Sequence, residues 1–142
     1  MFRFAPVRKE PSMKYVVLIH SNPRPWGHPT GDFLPEQQDL PAQERERLNR
    51  EFEAGFAEVM QRGELVIAEP LASPTTARLF RWSEGQRVVT DGPYAEGKEH
   101  FAGFFLVDVE SHERAEQIAA LFAGPGESIE LRAVMDGGGT GS

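Results

Sequence analysis

Cysteine is absent from the 142-residue chain, which removes disulfides, thiolate metal sites and cysteine nucleophiles together. Long apolar runs are absent too: no stretch approaches the ~20 residues of a membrane-crossing helix. Positive charge is short, with 15 Lys and Arg against 22 Asp and Glu, a formal net charge of −7 and an isoelectric point near 5.1. That balance argues against nucleic-acid binding, because neutralising phosphates takes clustered Lys and Arg. The four histidines show neither His-x-His nor His-Glu-x-x-His spacing, so neither a dedicated metal site nor a cofactor is expected. The only glycine cluster lies at the chain's end and precedes no helix, which leaves no phosphate-cradling loop. Residues 1–12 lack the apolar stretch of a secretory signal. The expectation is a cytoplasmic protein with no membrane and no nucleic-acid partner.

What is present fits one domain of a size that buries a real core unaided. Residues 1–12 are basic and interrupted by Pro6 and Pro11, and read as an N-terminal extension before Met13. Residues 136–142, Asp-Gly-Gly-Gly-Thr-Gly-Ser, read as a flexible tail. The domain is therefore 13–135.

Lys14–His20 is apolar on both alternating faces, as a central strand is. Ser21 to Pro41 holds five prolines and reads as a long loop, of a length that is uncommon unless it covers or builds something. From Ala42 to Arg62, Leu48, Phe52, Phe56, Val59 and Met60 recur at helical spacing, with Gly63 as a left-handed stop. Leu65–Ala68 is a short strand. Thr75–Trp82 and Arg87–Thr90 flank a turn at 83–86 and read as a hairpin. Gly103–Val109 is again apolar on both faces. Ser111 can cap a second helix through Phe122, with Ala115, Ile118, Ala119 and Phe122 as its buried stripe. Ser128–Val134 alternates, with Ile129, Leu131 and Ala133 on one side and Glu130 and Arg132 on the other.

This order predicts an α+β ferredoxin-like sandwich with an inserted hairpin. Two helices cover one sheet face only, yet two strands are apolar on both. A homodimer joined through the helix-free faces is the economical cover.

The segment Val89-Thr90-Asp91-Gly92-Pro93-Tyr94-Ala95-Glu96-Gly97-Lys98-Glu99 resembles the motif of the YCII-related, or DGPF-domain, family, whose members include the YciI-like proteins. Lys14–Ile19, Gly63–Val66, Ala102–Val109 and Ser128–Arg132 resemble that family's other strands, so the likeness spans about 13–135. Tyr94 stands where a Phe is usual and Gly97 where a Thr is common. The resemblance implies a dimeric α/β barrel of ferredoxin-like subunits and a biochemical role that is largely unassigned. It also implies a link to extracytoplasmic-function sigma factors for many members, and action on chloroaromatic breakdown products for some distant relatives. Those relatives carry a histidine in a Pro-Ala-His context; here the sequence reads Pro41-Ala42-Gln43.

Two readings of the motif stay open. Asp91 before Gly92-Pro93 suits a turn-capping carboxylate, or a carboxylate aimed into a pocket as acid, base or anchor. In the second reading Asp91 and His20 are the catalytic candidates, and Asp91 is expected to line a cleft with Tyr94 and His20. Tyr94, Arg78, Lys98 and His100 are then the ligand-binding candidates. The function classes are a small-molecule binding protein, with a regulatory role that a sigma-factor partner would give it, and a cofactor-independent acid–base enzyme of lyase or isomerase type. A structural dimer whose motif only shapes a turn is the third.

Overall fold

The computed structural model describes residues 2–3, 12–92 and 99–135. Seven strands and three α-helices follow in the order β1 (Phe2–Arg3), β2 (Met13–Ser21), α1 (Pro35–Gln38), α2 (Ala42–Gln61), β3 (Leu65–Pro70), β4 (Arg78–Ser83), β5 (Gln86–Asp91), β6 (His100–Val109), α3 (His112–Phe122) and β7 (Ser128–Ala133). Short 3-10 turns at Thr30–Phe33 and Pro74–Thr76 lie between them.

Five strands form one sheet in the order β1-β3-β6-β2-β7, and every neighbouring pair is antiparallel. The crossovers β2–α2–β3 and β6–α3–β7 each pass over one intervening strand, which is the ferredoxin-like arrangement expected from the order of elements. β1 adds an edge by pairing Phe2 with Ala68 and Arg3 with Ile67. A two-residue pairing made by backbone leaves no periodicity in the sequence.

Register fixes the two faces. Tyr15 and Val17 of β2, Leu65 and Ala68 of β3, and Val107 and Val109 of β6 are buried with Val59 of α2 and Ala115, Ile118 and Phe122 of α3. The partly buried Ile19, Phe105, Ile129 and Leu131 pack on this core. Phe122 anchors it, with its ring 4.5 Å from that of Phe105 and 5.4 Å from that of Phe52. The opposite face follows from the same register. One row across β3, β6, β2 and β7 reads Glu69–Phe104–Leu18–Glu130, and the next reads Ile67–Leu106–Val16–Arg132. Among the described residues no helix packs on this side.

Local signals act where the sequence placed them. Gly63 ends α2 with φ 66°, the left-handed value a residue without Cβ adopts freely. Ser111 Oγ accepts the Arg114 N–H at 3.1 Å and caps α3. Pro41 is the N-cap of α2. The hairpin turns at Glu84 and Gly85, with φ 49° and 78°, the paired positive values of a tight two-residue loop. β4 and β5 form a separate two-stranded sheet.

Candidate functional site

The end of β2 organises the site. His20 is opposite Ser128 of β7 and Phe101 of β6, so the three side chains share the helix-free face. The Phe101 ring centre is 5.8 Å from the His20 ring, and Phe101 in turn stacks on Phe104 at 6.4 Å. On the other flank Glu130 Oε1 lies 3.6 Å from His20 Nε2. The phenyl ring and the carboxylate together limit where the imidazole can swing. Ser21, the next residue, pairs with His100 at the start of β6. His20 and His100 thus arrive at the same sheet end from neighbouring strands.

Beyond this end lies an open cleft of about 1260 Å³. His20, His100 and Ser128 line it from the sheet, together with Glu99, whose Oε2 accepts from Ser128 Oγ at 3.1 Å. The chain leaving β2 contributes Asn22 and Arg24, and the stretch into α1 contributes Leu34, Pro35 and Glu36. Gly126 closes the lining.

The proline-rich segment forms the outer wall and is fastened at several points. Trp26 Nε1 donates to the Leu71 carbonyl at 2.9 Å, and His28 Nε2 is also 2.9 Å from that oxygen. Arg24 N donates to the Phe33 carbonyl at 2.8 Å. Gly27 sits so close to Phe33 that an added Cβ would meet the ring at 2.5 Å. Leu34 is buried. At the far end Glu127 accepts hydrogen bonds from Thr30 Oγ1 and from Gln37 Nε2, and Gln37 also donates to the Pro125 carbonyl. Burial pushes the Glu127 carboxyl above its ordinary value, and the bonds from Thr30 and Gln37 oppose that shift.

The predicted residues divide between this cleft and the hairpin. His20 and His100 line the cleft. Asp91 ends β5, where its carboxylate is 94% exposed and 3.4 Å from Arg78 Nε. Arg78 and Asp91 are cross-strand partners in the hairpin, so the structure puts them beside each other and in a different sheet from His20. The Gly92 N–H donates to the Ala77 carbonyl at 2.8 Å, which fixes where the chain leaves β5. Tyr94 and Lys98 lie outside the described residues. The other two histidines have local partners: His28 has the Leu71 carbonyl, and His112 has Tyr15 Oη and Glu116.

Asn22, Arg24, Glu36, Glu99 and Ser128 are the lining residues that sequence reasoning passed over. The available signal was positional, since Asn22 and Arg24 directly follow a strand end and Glu99 directly precedes one. Pockets form at such ends. Among the described residues no group of three His, Cys, Asp or Glu side chains is placed to hold a metal ion, and no helix is long and apolar enough to cross a membrane.

The cleft therefore offers one guanidinium, two imidazoles, two carboxylates, an amide and a hydroxyl. This set can hold a small polar molecule at several points and can exchange a proton with it through an imidazole. Comparison with known proteins places the chain in a setting. The family model of the YCII-related domain matches residues 13–135. An uncharacterized protein of Rhizobium meliloti (strain 1021) is 37% identical over 73 residues, which is 51% of this chain and 59% of that protein. The match spans a little under three-fifths of that relative's length.

Proposed function

This chain belongs to the YCII-related domain family, and we propose that it binds a small polar organic molecule in the cleft at the end of β2, β6 and β7. The observation that carries this reading is the convergence of His20, His100, Arg24 and Glu99 on one cavity. Charged and hydrogen-bonding groups set around one concave site can hold a polar ligand at several points at once. Arg24 would hold an anionic group of the ligand, and Asn22 and Ser128 would select its hydrogen-bonding pattern. A second copy of the chain would cover the helix-free face, where Val16, Leu18, Ile67, Phe104 and Leu106 are only half-buried. Apolar area left in water costs about 25 cal/mol per Å². The dimeric α/β barrel is this assembly.

Thermal-shift screening of small carboxylates, amines and amino acids tests the reading. A ligand present at about 100 times its Kd stabilises a one-site protein by about 2.7 kcal/mol. H20A and R24A should abolish the shift while leaving the unliganded melting temperature nearly unchanged. A shift that survives both substitutions places the ligand elsewhere. Light scattering at micromolar concentration tests the assembly, and a monomeric mass overturns it.

The His20–Glu130 pair favours a second reading, acid–base catalysis on the bound molecule. The imidazole would take or deliver the proton, and the carboxylate would hold the resulting imidazolium. Turnover of a bound ligand that falls in E130Q while affinity is retained would establish it. Binding without turnover leaves the protein a binder, open to a regulatory role with a partner such as a sigma factor.

A further inference from the structure

The cleft carries charge of both signs that its own walls do not pair. Arg24 lines it from the chain leaving β2, Glu36 from α1, and Glu99 from the residue before β6. Among the described residues the Arg24 guanidinium makes no ion pair or side-chain hydrogen bond, and neither does the Glu36 carboxylate. Opposite charges that share a cavity without meeting are held apart by the fold.

The acidic side is built at the entry to β7. Gln37 donates to the Pro125 carbonyl at 3.0 Å and to Glu127 Oε1 at 3.1 Å, which fixes its neighbour Glu36 over the same stretch. The Glu36 carboxyl lies against Gly126, where an added Cβ would stand 3.0 Å from its Cδ and Oε1. A side chain at 126 would fill the space the carboxylate takes. Glu99 reaches this stretch from β6, its Oε2 accepting from Ser128 Oγ at 3.1 Å. One hydroxyl leaves most of a carboxylate's acceptor capacity unused. The two acids thus meet the chain on either side of Glu127, at Gly126 and Ser128. Arg24 belongs to the other wall, where its backbone N–H is bonded to the Phe33 carbonyl at 2.8 Å.

This arrangement selects by charge. A simple carboxylate on Arg24 would share the cavity with two uncompensated acids. A simple amine beside those acids would leave the guanidinium unpaired, and a neutral molecule would pair neither pole. A molecule with both charges pairs both.

We propose that the ligand of the cleft is a zwitterion, an amino acid or a close chemical relative, with its carboxylate on Arg24 and its ammonium between Glu36 and Glu99. The inference rests on the reading that the cleft binds a small polar molecule, and adds which charges that molecule carries.

The probes are the standard amino acids, β-alanine and γ-aminobutyrate, screened by thermal shift on the full chain and titrated by calorimetry. Each amino acid that binds is compared with its deaminated acid and with its carboxamide, neither of which adds bulk at the altered charge. Both analogues should bind at least about tenfold more weakly, the loss expected for one charge-assisted hydrogen-bonded contact. E36Q/E99Q should weaken the amino acid by a similar factor and leave its deaminated acid unchanged or tighter. A deaminated acid that binds as well as the amino acid overturns the ammonium seat, as does discrimination that persists in E36Q/E99Q. If simple carboxylates or amines bind and no amino acid does, the zwitterion is overturned and the binding cleft stands. If none of the three classes binds, both fall.

Discussion

Arg114 and Glu64 form a buried bidentate pair: Arg114 Nε donates to Glu64 Oε2 at 2.9 Å and Nη2 donates to Oε1 at 2.8 Å. Glu64 is 1% exposed and Arg114 8%. Glu64 sits at the corner between α2 and β3, and Arg114 in the first turn of α3, so the pair ties the two crossovers together at one end of the sandwich. The Glu64 hydrogen bonds raise the Arg114 pKa further above its ordinary value.

Removing one member of this pair should be expensive. E64A leaves a guanidinium in the interior, and breaking a buried pair in this way costs about 3–5 kcal/mol. Glu58 Oε1 remains 3.1 Å from Arg114 Nη1, which favours the lower end. Urea unfolding should show the loss, and E64L/R114M should recover most of it. A cost under about 1 kcal/mol for E64A would mean that water replaces the carboxylate freely.

Glu127 predicts a pH dependence of opposite sense to ordinary acid denaturation. Its folded pKa is raised above 4.5 by burial, so the folded state binds its proton more tightly than the unfolded one. Its contribution to stability therefore falls as pH climbs from 4.5 through the raised folded value, and returns on acidification. E127Q cannot ionise and should lose this slope. Unfolding free energies measured for both proteins at a series of pH values check it, and equal slopes would reject it.

Asp91→Asn should change stability by less than about 0.5 kcal/mol, because its ion pair with Arg78 is at a solvated surface. If ligand affinity also stays within twofold in the cleft assay, the Asp-Gly-Pro motif shapes the exit from the hairpin. A large loss of affinity would bring the motif to the cleft.

Gly103→Ala should destabilise the sheet by about 1–3 kcal/mol. An added Cβ would stand 2.8 Å from the Glu69 carbonyl and 3.3 Å from Pro70 Cα, both backbone atoms that can move only by shifting β3 against β6. Chemical denaturation measures the cost.

Much of the fold was legible because it is written in local periodicity. Val17 and Val107 fall on the buried face, and Ile129 and Leu131 pack beside them, as strand alternation requires. Ser111 and Gly63 act as cap and stop within one turn of chain. The cleft was half legible. His20 and His100 could be singled out by type, but Arg24 and Glu36 reach it only because a proline-rich segment folds back, which no period encodes. Arg114 and Glu64 are fifty residues apart and carry no pattern linking them. Asp91 drew attention through its motif, yet strand pairing assigns it to Arg78.

The fastening of the cleft wall sets an order on biosynthesis. Thr30 and Glu127, whose bond holds that wall, are separated by 97 positions. A ribosome can have released β2, α2 and β3, and the emerging chain can have fastened Trp26 to Leu71, while the outer wall still has no far anchor. Long closures of this kind are reached late. A nascent chain arrested before β7 would therefore have much of its helical layer while the cleft wall still lacked its far anchor, so the wall can close only once the domain is almost fully translated.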